Sequence, residues 1–286
     1  MQTRRIGDIQ VSAIGLGGMP MSIEGRPEKE RSIAAVLAAL DAGITLFDTA
    51  DAYNLEAGEV GHNESLIAEA IAGYGGDTSD VLISTKGGIL RPGDGRWVLD
   101  GSPEHLKAAC DASLKRLGLD AVGLYHFHRP DPKVPYAESI GAIKELLDAG
   151  KIRLAGVSNA NPEQIRLARE ILGDGLACVQ NQFSPAFRSS EPELELCVEL
   201  GLAFLPWSPL GGIAKAGELG SRFAPFADIA QDHGVSPQQV CLAWLLAKTP
   251  SLIPIPGSSR PETIRDSAAA VELTLSADEL ARLDAA

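Results

Sequence analysis

The sequence predicts a (β/α)8 barrel with an N-terminal β-hairpin closing its bottom. Three observations predict it. Short apolar runs alternate with longer amphipathic segments along the chain, and alternating strand–helix units imply parallel strands joined by right-handed crossovers. Eight such units fit within 286 residues, which is the count, and about the ~250-residue length, of a closed α/β barrel. No Pro/Gly/Ser-rich linker, composition shift or low-complexity tract divides the chain, so residues 1–286 read as one domain. A doubly wound open sheet is the structural rival.

The elements follow in order. Arg4–Ile6 and Ile9–Val11 form a hairpin turned at Gly7-Asp8. Ala13–Gly17 is the first barrel strand. Glu28–Ala42 places Ile33, Val36, Leu37 and Leu40 on one helical face and stops at Gly43. Thr45–Asp48 is the second strand, and Glu64–Ala72 a helix with Asn63 as N-cap. Val81–Thr85 is the third strand, before a helix at Pro103–Leu117 closed by Gly118. Ala121–Phe127 is the fourth, before Tyr136–Ala149, closed by Gly150. Arg153–Val157 is the fifth, and Pro162–Leu172 the helix after it, with Pro in its first turn. Leu176–Gln180 is the sixth, before Pro192–Leu200, closed by Gly201. Ala203–Trp207 is the seventh, with helical pieces near Pro225–Asp232 and Pro237–Ala247. Leu252–Ile255 is the eighth, followed by a helix at Pro261–Ala270 and a final amphipathic turn or helix at Ala277–Ala285.

Composition narrows the function classes. Twenty-five Lys and Arg against 38 Asp and Glu leave a formal charge of −13. That balance argues against a nucleic-acid partner, which calls for clustered cations, and against adhesion to anionic lipid. Cys110, Cys178, Cys197 and Cys241 form no C-x-x-C and have no His at metal-ligand spacing. They read as buried thiols of a reducing compartment, with no metal site. No apolar run approaches the ~18 residues of a membrane span. Asp8 and Gln10 interrupt the stretch after Arg4-Arg5, so no twin-arginine leader is read there. The expectation is a soluble cytoplasmic protein, monomeric or weakly homo-oligomeric, that acts on a small molecule.

In such a barrel, functional groups stand where the strands end and in the loops that follow. There the sequence puts Asp48 and Tyr53, Lys86, and His128. Asp48 and Lys86, at adjacent strand ends, can pair. An ammonium beside a phenol favours phenolate and lowers a pKa that starts near ~10, which would suit Tyr53 to general-acid work near neutral pH. His128 can hydrogen-bond the same substrate oxygen. Taken singly, each has a bland reading: a structural Asp–Lys pair, a packing Tyr, an interior His. His126, of the same strand parity as His128, is read as interior. The four together at one mouth have the parts for protonating an alkoxide as a carbonyl is reduced.

A hydride source needs a nucleotide site. Gly15-Leu16-Gly17-Gly18-Met19-Pro20 fails as a dinucleotide fingerprint, because Pro20 takes the last Gly position and no helix follows at once. Gly257-Ser258-Ser259-Arg260 is the better phosphate candidate, between the eighth strand and a helix N-terminus; the alternative is a plain capped turn. Phe183 offers a ring to stack on a nicotinamide, or simply packs the core. Ser158, Asn159 and Gln180 can hydrogen-bond a carboxamide.

With these residues in place, the chain resembles the aldo-keto reductase family over nearly its whole length. The resemblance rests on Phe47-Asp48-Thr49-Ala50-Asp51-Ala52-Tyr53, Gly61-His62-Asn63-Glu64, Ser84-Thr85-Lys86, Leu124 through Pro132, Gly156-Val157-Ser158-Asn159 and Ile255-Pro256-Gly257-Ser258. It implies NADPH lying extended across the barrel mouth without a Rossmann fold. It also implies a catalytic tetrad of Asp48, Tyr53, Lys86 and His128, with Tyr53 the proton donor. Ser158, Asn159 and Gln180 match the carboxamide positions and Phe183 the ring-stacking position, where Tyr is commoner. Trp207, Ser208, Leu210 and Gly211 match the segment along the pyrophosphate. Gly18, Met19, Asp48 and Gly257 are counted with the cofactor contacts. Ser258 matches a contact of the ribose 2′-phosphate, while Thr263 and Ser267 stand where Arg and Asn are usual; Arg260 or Arg265 would compensate. Arg129-Pro130-Asp131-Pro132 and Ile255-Pro256-Gly257 look more like the bacterial branches, near the potassium-channel β-subunits, than like the aldose reductases.

Two other functions compete with carbonyl reduction: a nicotinamide-binding regulatory subunit with little turnover, and a Schiff-base lyase using Lys86. Specificity is expected from the loops Met19–Arg26, Arg91–Gly101, Arg129–Pro135 and Phe187–Ser190, with Trp97 walling the pocket.

Overall fold

The computed structural model describes residues 1–286. It opens with a two-stranded antiparallel hairpin, β1 (Thr3–Ile6) and β2 (Ile9–Ser12), turned at Gly7-Asp8 as the sequence predicts. Then come β3 (Leu16–Gly17), α1 (Lys29–Asp41), β4 (Leu46–Asp48), α2 (His62–Ala72) and β5 (Leu82–Gly87). A second small hairpin, β6 (Ile89–Leu90) and β7 (Val98–Leu99), interrupts the alternation. After it follow α3 (Pro103–Leu117), β8 (Val122–Phe127), α4 (Tyr136–Asp148), β9 (Ile152–Ser158), α5 (Pro162–Leu172), β10 (Leu176–Gln180), α6 (Glu191–Leu200) and β11 (Ala203–Phe204). Helices α7 (Leu219–Arg222), α8 (Ala224–His233), α9 (Pro237–Lys248), α10 (Pro261–Ala269) and α11 (Ala277–Asp284) complete the chain.

Seven strands form one parallel sheet in the order β11-β10-β9-β8-β5-β4-β3. Apart from the inserted hairpin the order is sequential, as βα repeats require. The predicted eighth strand, Leu252–Ile255, is not a full strand. It makes one bridge to β11 (Phe204 to Leu252), and Gly257 makes one to β3 (Gly17). The reason is chemical. Pro254 and Pro256 have no N–H to give a ladder, so on the β3 side their carbonyls accept from Gly15 and Gly17 and return nothing. On the other side the amides of Ile253 and Ile255 donate to Phe204 and Pro206. The first strand is likewise shorter than Ala13–Gly17, and the seventh stops before Trp207.

One apolar cluster gathers Leu46, Leu82, Leu124, Leu154, Cys178, Leu205, Ile253 and Ile255 from the curled sheet and the segment beside it, with Ile6 and Val11 of the first hairpin packed on them. A larger cluster fills the space between sheet and helices. All four cysteines are free and buried, and burial pushes the thiols of Cys110 and Cys197 up to about 12, so they are poor nucleophiles.

The helices keep their predicted stops: Gly118 and Gly201 adopt left-handed backbone at two C-termini, and Gly234, not singled out in the sequence, does the same after α8. The exception is the start of α2. Asn63 is not its N-cap; Gly61 is, at φ 78° with no side-chain cap. Only glycine fits there, since an added Cβ would lie 1.9 Å from Nε of Arg116. Asn63 instead turns inward. Its amide donates to the Gly18 carbonyl and to Ser22 Oγ, both at 2.8 Å, and accepts from Thr49 Oγ1 at 2.6 Å. It ties the loop after β3 to the loop after β4.

Candidate active site

The parallel register sets the site. Asp48 pairs with Ser84, and Lys86 with His126, across β4, β5 and β8. These polar positions lie C-terminal to the leucines of the interior cluster on the same strands. Lys86 is wholly buried, and each of its three ammonium protons has a taker. Nζ donates to Asp48 Oδ2 at 2.6 Å, to the Thr49 carbonyl at 2.7 Å and to Tyr53 Oη at 3.3 Å. Asp48 also accepts on Oδ1, from Ser84 Oγ at 3.0 Å and from Gln180 Nε2 at 2.8 Å. The carboxylate accepts three hydrogen bonds in all, so both charges of the buried pair are compensated.

Burial alone would lower the pKa of Lys86, but Asp48 and Tyr53 carry it above the ordinary lysine value. Burial dominates at Tyr53 and raises its pKa against the pull of Lys86, with Asp48 and Asp51 adding to the rise. This corrects the expectation that the ammonium would lower it: desolvation of the phenolate outweighs one neighbouring cation. The phenol is held neutral. Its oxygen accepts from Lys86, which leaves its own O–H to point elsewhere. The ring of His128 stands edge-on to Tyr53 at 5.9 Å. Burial, then Lys86 and Arg129, push His128 well below its ordinary value, and its Nδ1 has no partner. His126 is also buried, with Nε2 3.8 Å from Cys178 Sγ and Nδ1 without a partner.

A cavity of about 630 Å3 opens over this cluster, within the size range of small-molecule and cofactor sites. Of the predicted residues, Met19, Asp48, Tyr53, His128, Ser158, Asn159, Gln180, Trp207, Ser208, Leu210 and Gly257 line it. Lys86 lies directly behind Tyr53 and Asp48. Asn159 and Ser208 hold left-handed backbone, at φ 57° and 51°. Non-glycine residues rarely adopt it, and such strain concentrates at working sites. Asn159 Nδ2 donates to the His128 carbonyl and to Ser158 Oγ, and Ser158 Oγ donates to the Gln180 carbonyl. These bonds tie the Ser158 and Asn159 side chains to each other and to the backbone of Gln180 and His128, while Asp48 holds the Gln180 side chain; Asn159 Oδ1 and Gln180 Oε1 are left without a protein donor.

Other predicted contacts stand apart. Phe183 does not reach the cavity. It is fully buried, stacked on Trp244 at 6.1 Å and edge-on to Phe204. Its π face is covered, so the stacking role falls away. The ring at that wall is Trp207, whose buried Nε1 has no partner. Of the two rings that follow the sixth and seventh strands, it is that of Trp207 that faces the cavity. Gly18 and Gly211 sit beside lining residues without lining the cavity. Ser258, Arg260, Thr263 and Ser267 lie behind Gly257. There Ser258 Oγ is 2.5 Å from Thr263 Oγ1 and donates to the Arg260 carbonyl, and Ser267 is buried in α10. Sequence reasoning overlooked Ile89, because the β6–β7 hairpin carries no periodic signal, whereas Leu99 lies within the loop Arg91–Gly101 expected to set specificity. Trp97, on the loop between those strands, does wall the cavity, edge-on to Tyr53 at 6.3 Å with the Arg91 guanidinium over its ring.

Beneath the site lies a second polar group. Glu64 accepts from Thr85 Oγ1 at 2.6 Å and from Arg116 Nε at 2.5 Å. Asp51 is buried beside it with Oδ1 unpartnered. Burial first, and Glu64 second, raise the Asp51 pKa well above the ordinary carboxylate range, against Arg116 and Lys86. Folded protein therefore holds a proton that the unfolded chain releases near pH ~4, and stability falls as pH rises toward the folded value. Asp51→Asn should remove that slope. Thermal melts across pH should show the variant gaining on wild type toward alkaline pH; parallel curves would mean Asp51 is ionised in the fold.

Comparison with known proteins agrees with this geometry. The Aldo/keto reductase family model matches residues 13–286. An uncharacterized oxidoreductase of Schizosaccharomyces pombe is 33% identical over 288 residues, covering 99% of this chain and 89% of the relative. The 6-dehydroglucose reductase of Novosphingobium aromaticivorans is 35% identical over 274 residues, covering 93% and 88%. Among solved structures, an aldo/keto reductase from Klebsiella pneumoniae, in complex with NADP and acetate, superposes with a TM-score of 0.80 at 30% identity, covering 99% of this chain and 94% of that one.

Proposed function

The chain belongs to the aldo/keto reductase family, and from that premise we propose that it is an NADP-dependent reductase of aldehyde or ketone carbonyls on a single (β/α)8 barrel. The first hairpin, packed on the interior leucines, is the closed bottom of that barrel, and residues 252–257 are its eighth wall. The observation that carries the activity is the Lys86–Tyr53–Asp48 network with a free phenolic O–H at the floor of the cavity.

The donor set fits a nicotinamide. Ser158, Asn159 and Gln180 hold a carboxamide, with Asn159 Oδ1 and Gln180 Oε1 as its acceptors, and Trp207 offers an aromatic face. Ser208 and Leu210 line the run of the pyrophosphate. Bound there, the reduced cofactor supplies a hydride to the carbonyl carbon. The protein supplies the rest. Tyr53 gives the oxygen its proton, because the phenol is neutral and its O–H is uncommitted. Lys86 stabilises the phenolate left behind, and Asp48 holds Lys86 charged and aimed. Neutral His128 orients the oxygen by a hydrogen bond.

A Schiff-base lyase is disfavoured by the same network, since a lysine whose protons are all engaged is a poor amine nucleophile. The regulatory-subunit reading differs only in turnover. The test is a fluorescence titration with NADPH and NADH, followed by assay of an aldehyde panel. Quenching of the protein's tryptophan emission with a micromolar or tighter NADPH constant, and NADPH-dependent reduction, are the expected results. Tight binding without turnover on any aldehyde would favour the regulatory subunit. Stronger binding of NADH would show that Ser258, Arg260 and Arg265 do not replace the absent 2′-phosphate Arg.

A further inference from the structure

The half of the cavity bounded by β4, β5 and β8 contains one charged group that nothing neutralises. Asp48 is paired with Lys86, and Arg91, behind Trp97, is paired with Glu24. Arg129 has no hydrogen bond and no ion pair, is exposed, and lines the cavity directly after His128. On a chain of formal charge −13, a cation left unpaired at the mouth of the large cavity stands out against the general field, which repels anions. Beside it, on the hairpin that follows the neighbouring strand β5, Ile89, Trp97 and Leu99 make an apolar and aromatic wall. The cavity thus offers an apolar strip, a proton donor at its floor and a guanidinium at its rim.

Resting on the carbonyl-reductase reading above, we propose that the substrate is a carbonyl compound with an apolar or aromatic body and an anionic oxygen group, a carboxylate or a phosphate, and that Arg129 receives that group. Guanidinium binds either anion through paired N–H donors, which positions as well as attracts. An anion seated on Arg129 places the body of the molecule against Trp97 and its carbonyl toward Tyr53 and His128.

The test compares 4-carboxybenzaldehyde, 4-formylphenyl phosphate and methyl 4-formylbenzoate as substrates of wild type, Arg129→Gln and Arg129→Lys. The wild type should prefer an acid over the neutral ester, and the better acid identifies the anion. Arg129→Gln should lower the acid-to-ester ratio of kcat/KM about tenfold or more, mainly through KM, with partial rescue in Arg129→Lys. An unchanged ratio overturns the proposal. So does a tenfold weaker NADPH Kd in Arg129→Gln, which would give Arg129 to the nucleotide phosphates. If wild type reduces none of the three, the reductase reading itself fails. The Arg129 site is then judged by calorimetry of 4-(hydroxymethyl)benzoate on NADP+-loaded protein: binding lost in Arg129→Gln supports it, and equal or absent binding overturns it.

Discussion

Tyr53→Phe should bind NADPH within a few-fold of wild type and lose about 10²–10⁴-fold in turnover, the usual worth of a placed general acid. The phenyl ring keeps its contacts with Trp97 and His128, so the cavity wall survives. What is lost is the proton that must meet the developing alkoxide. Stopped-flow and steady-state rates with a reactive aldehyde, beside an NADPH titration, separate the two effects. The pH profile adds a second arm. Because burial holds the phenol above its ordinary value of ~10, the donor form persists through neutrality. The rate of reduction should be flat there and fall only in strong alkali. Near-normal activity in Tyr53→Phe would move the acid to His128.

Lys86→Met should cost about 3–5 kcal/mol of stability, beyond abolishing turnover, because it strands the Asp48 carboxylate in a buried site with only Ser84 and Gln180 to satisfy it. Asp48→Asn in the same chain removes the stranded charge. The double variant should therefore recover most of the stability and none of the activity. Denaturant unfolding of the two single variants and the double gives the coupling directly. A double variant as unstable as the sum of the singles would mean that the pair is held by packing rather than by charge.

Much of the fold was legible because it repeats: each βα unit announces itself by an apolar run, an amphipathic stretch and often a stopping glycine. The gathering of Asp48, Tyr53, Lys86 and His128 was legible because parallel α/β strands put polar groups at their C-terminal ends. What escaped depends on three-dimensional competition. Asn63 has the chemistry of an N-cap, but buried carbonyl and hydroxyl partners win it away from the helix. Phe183 and Trp207 both follow sheet strands, and only packing decides that one ring is roofed by Trp244 while the other faces the cavity. The direction of the Tyr53 shift escaped because a neighbouring charge is visible in a motif and the depth of burial is not.

The two prolines between β11 and β3 have a mechanical consequence. Where the join of this segment to β11 has amides donating from both sides, Phe204 to Ser251 and Ile253 to Phe204, the join to β3 rests chiefly on Gly15 and Gly17 reaching one way, with Ser258 returning a single long bond of 3.4 Å. It is also where the earliest and latest parts of the chain meet. The join is thus a zipper with half its teeth missing, and Gly17, Ile255 and Gly257 on either side of it line the cavity. A ligand laid across that line would act as a clasp, fastening the wall at the place where it parts most easily.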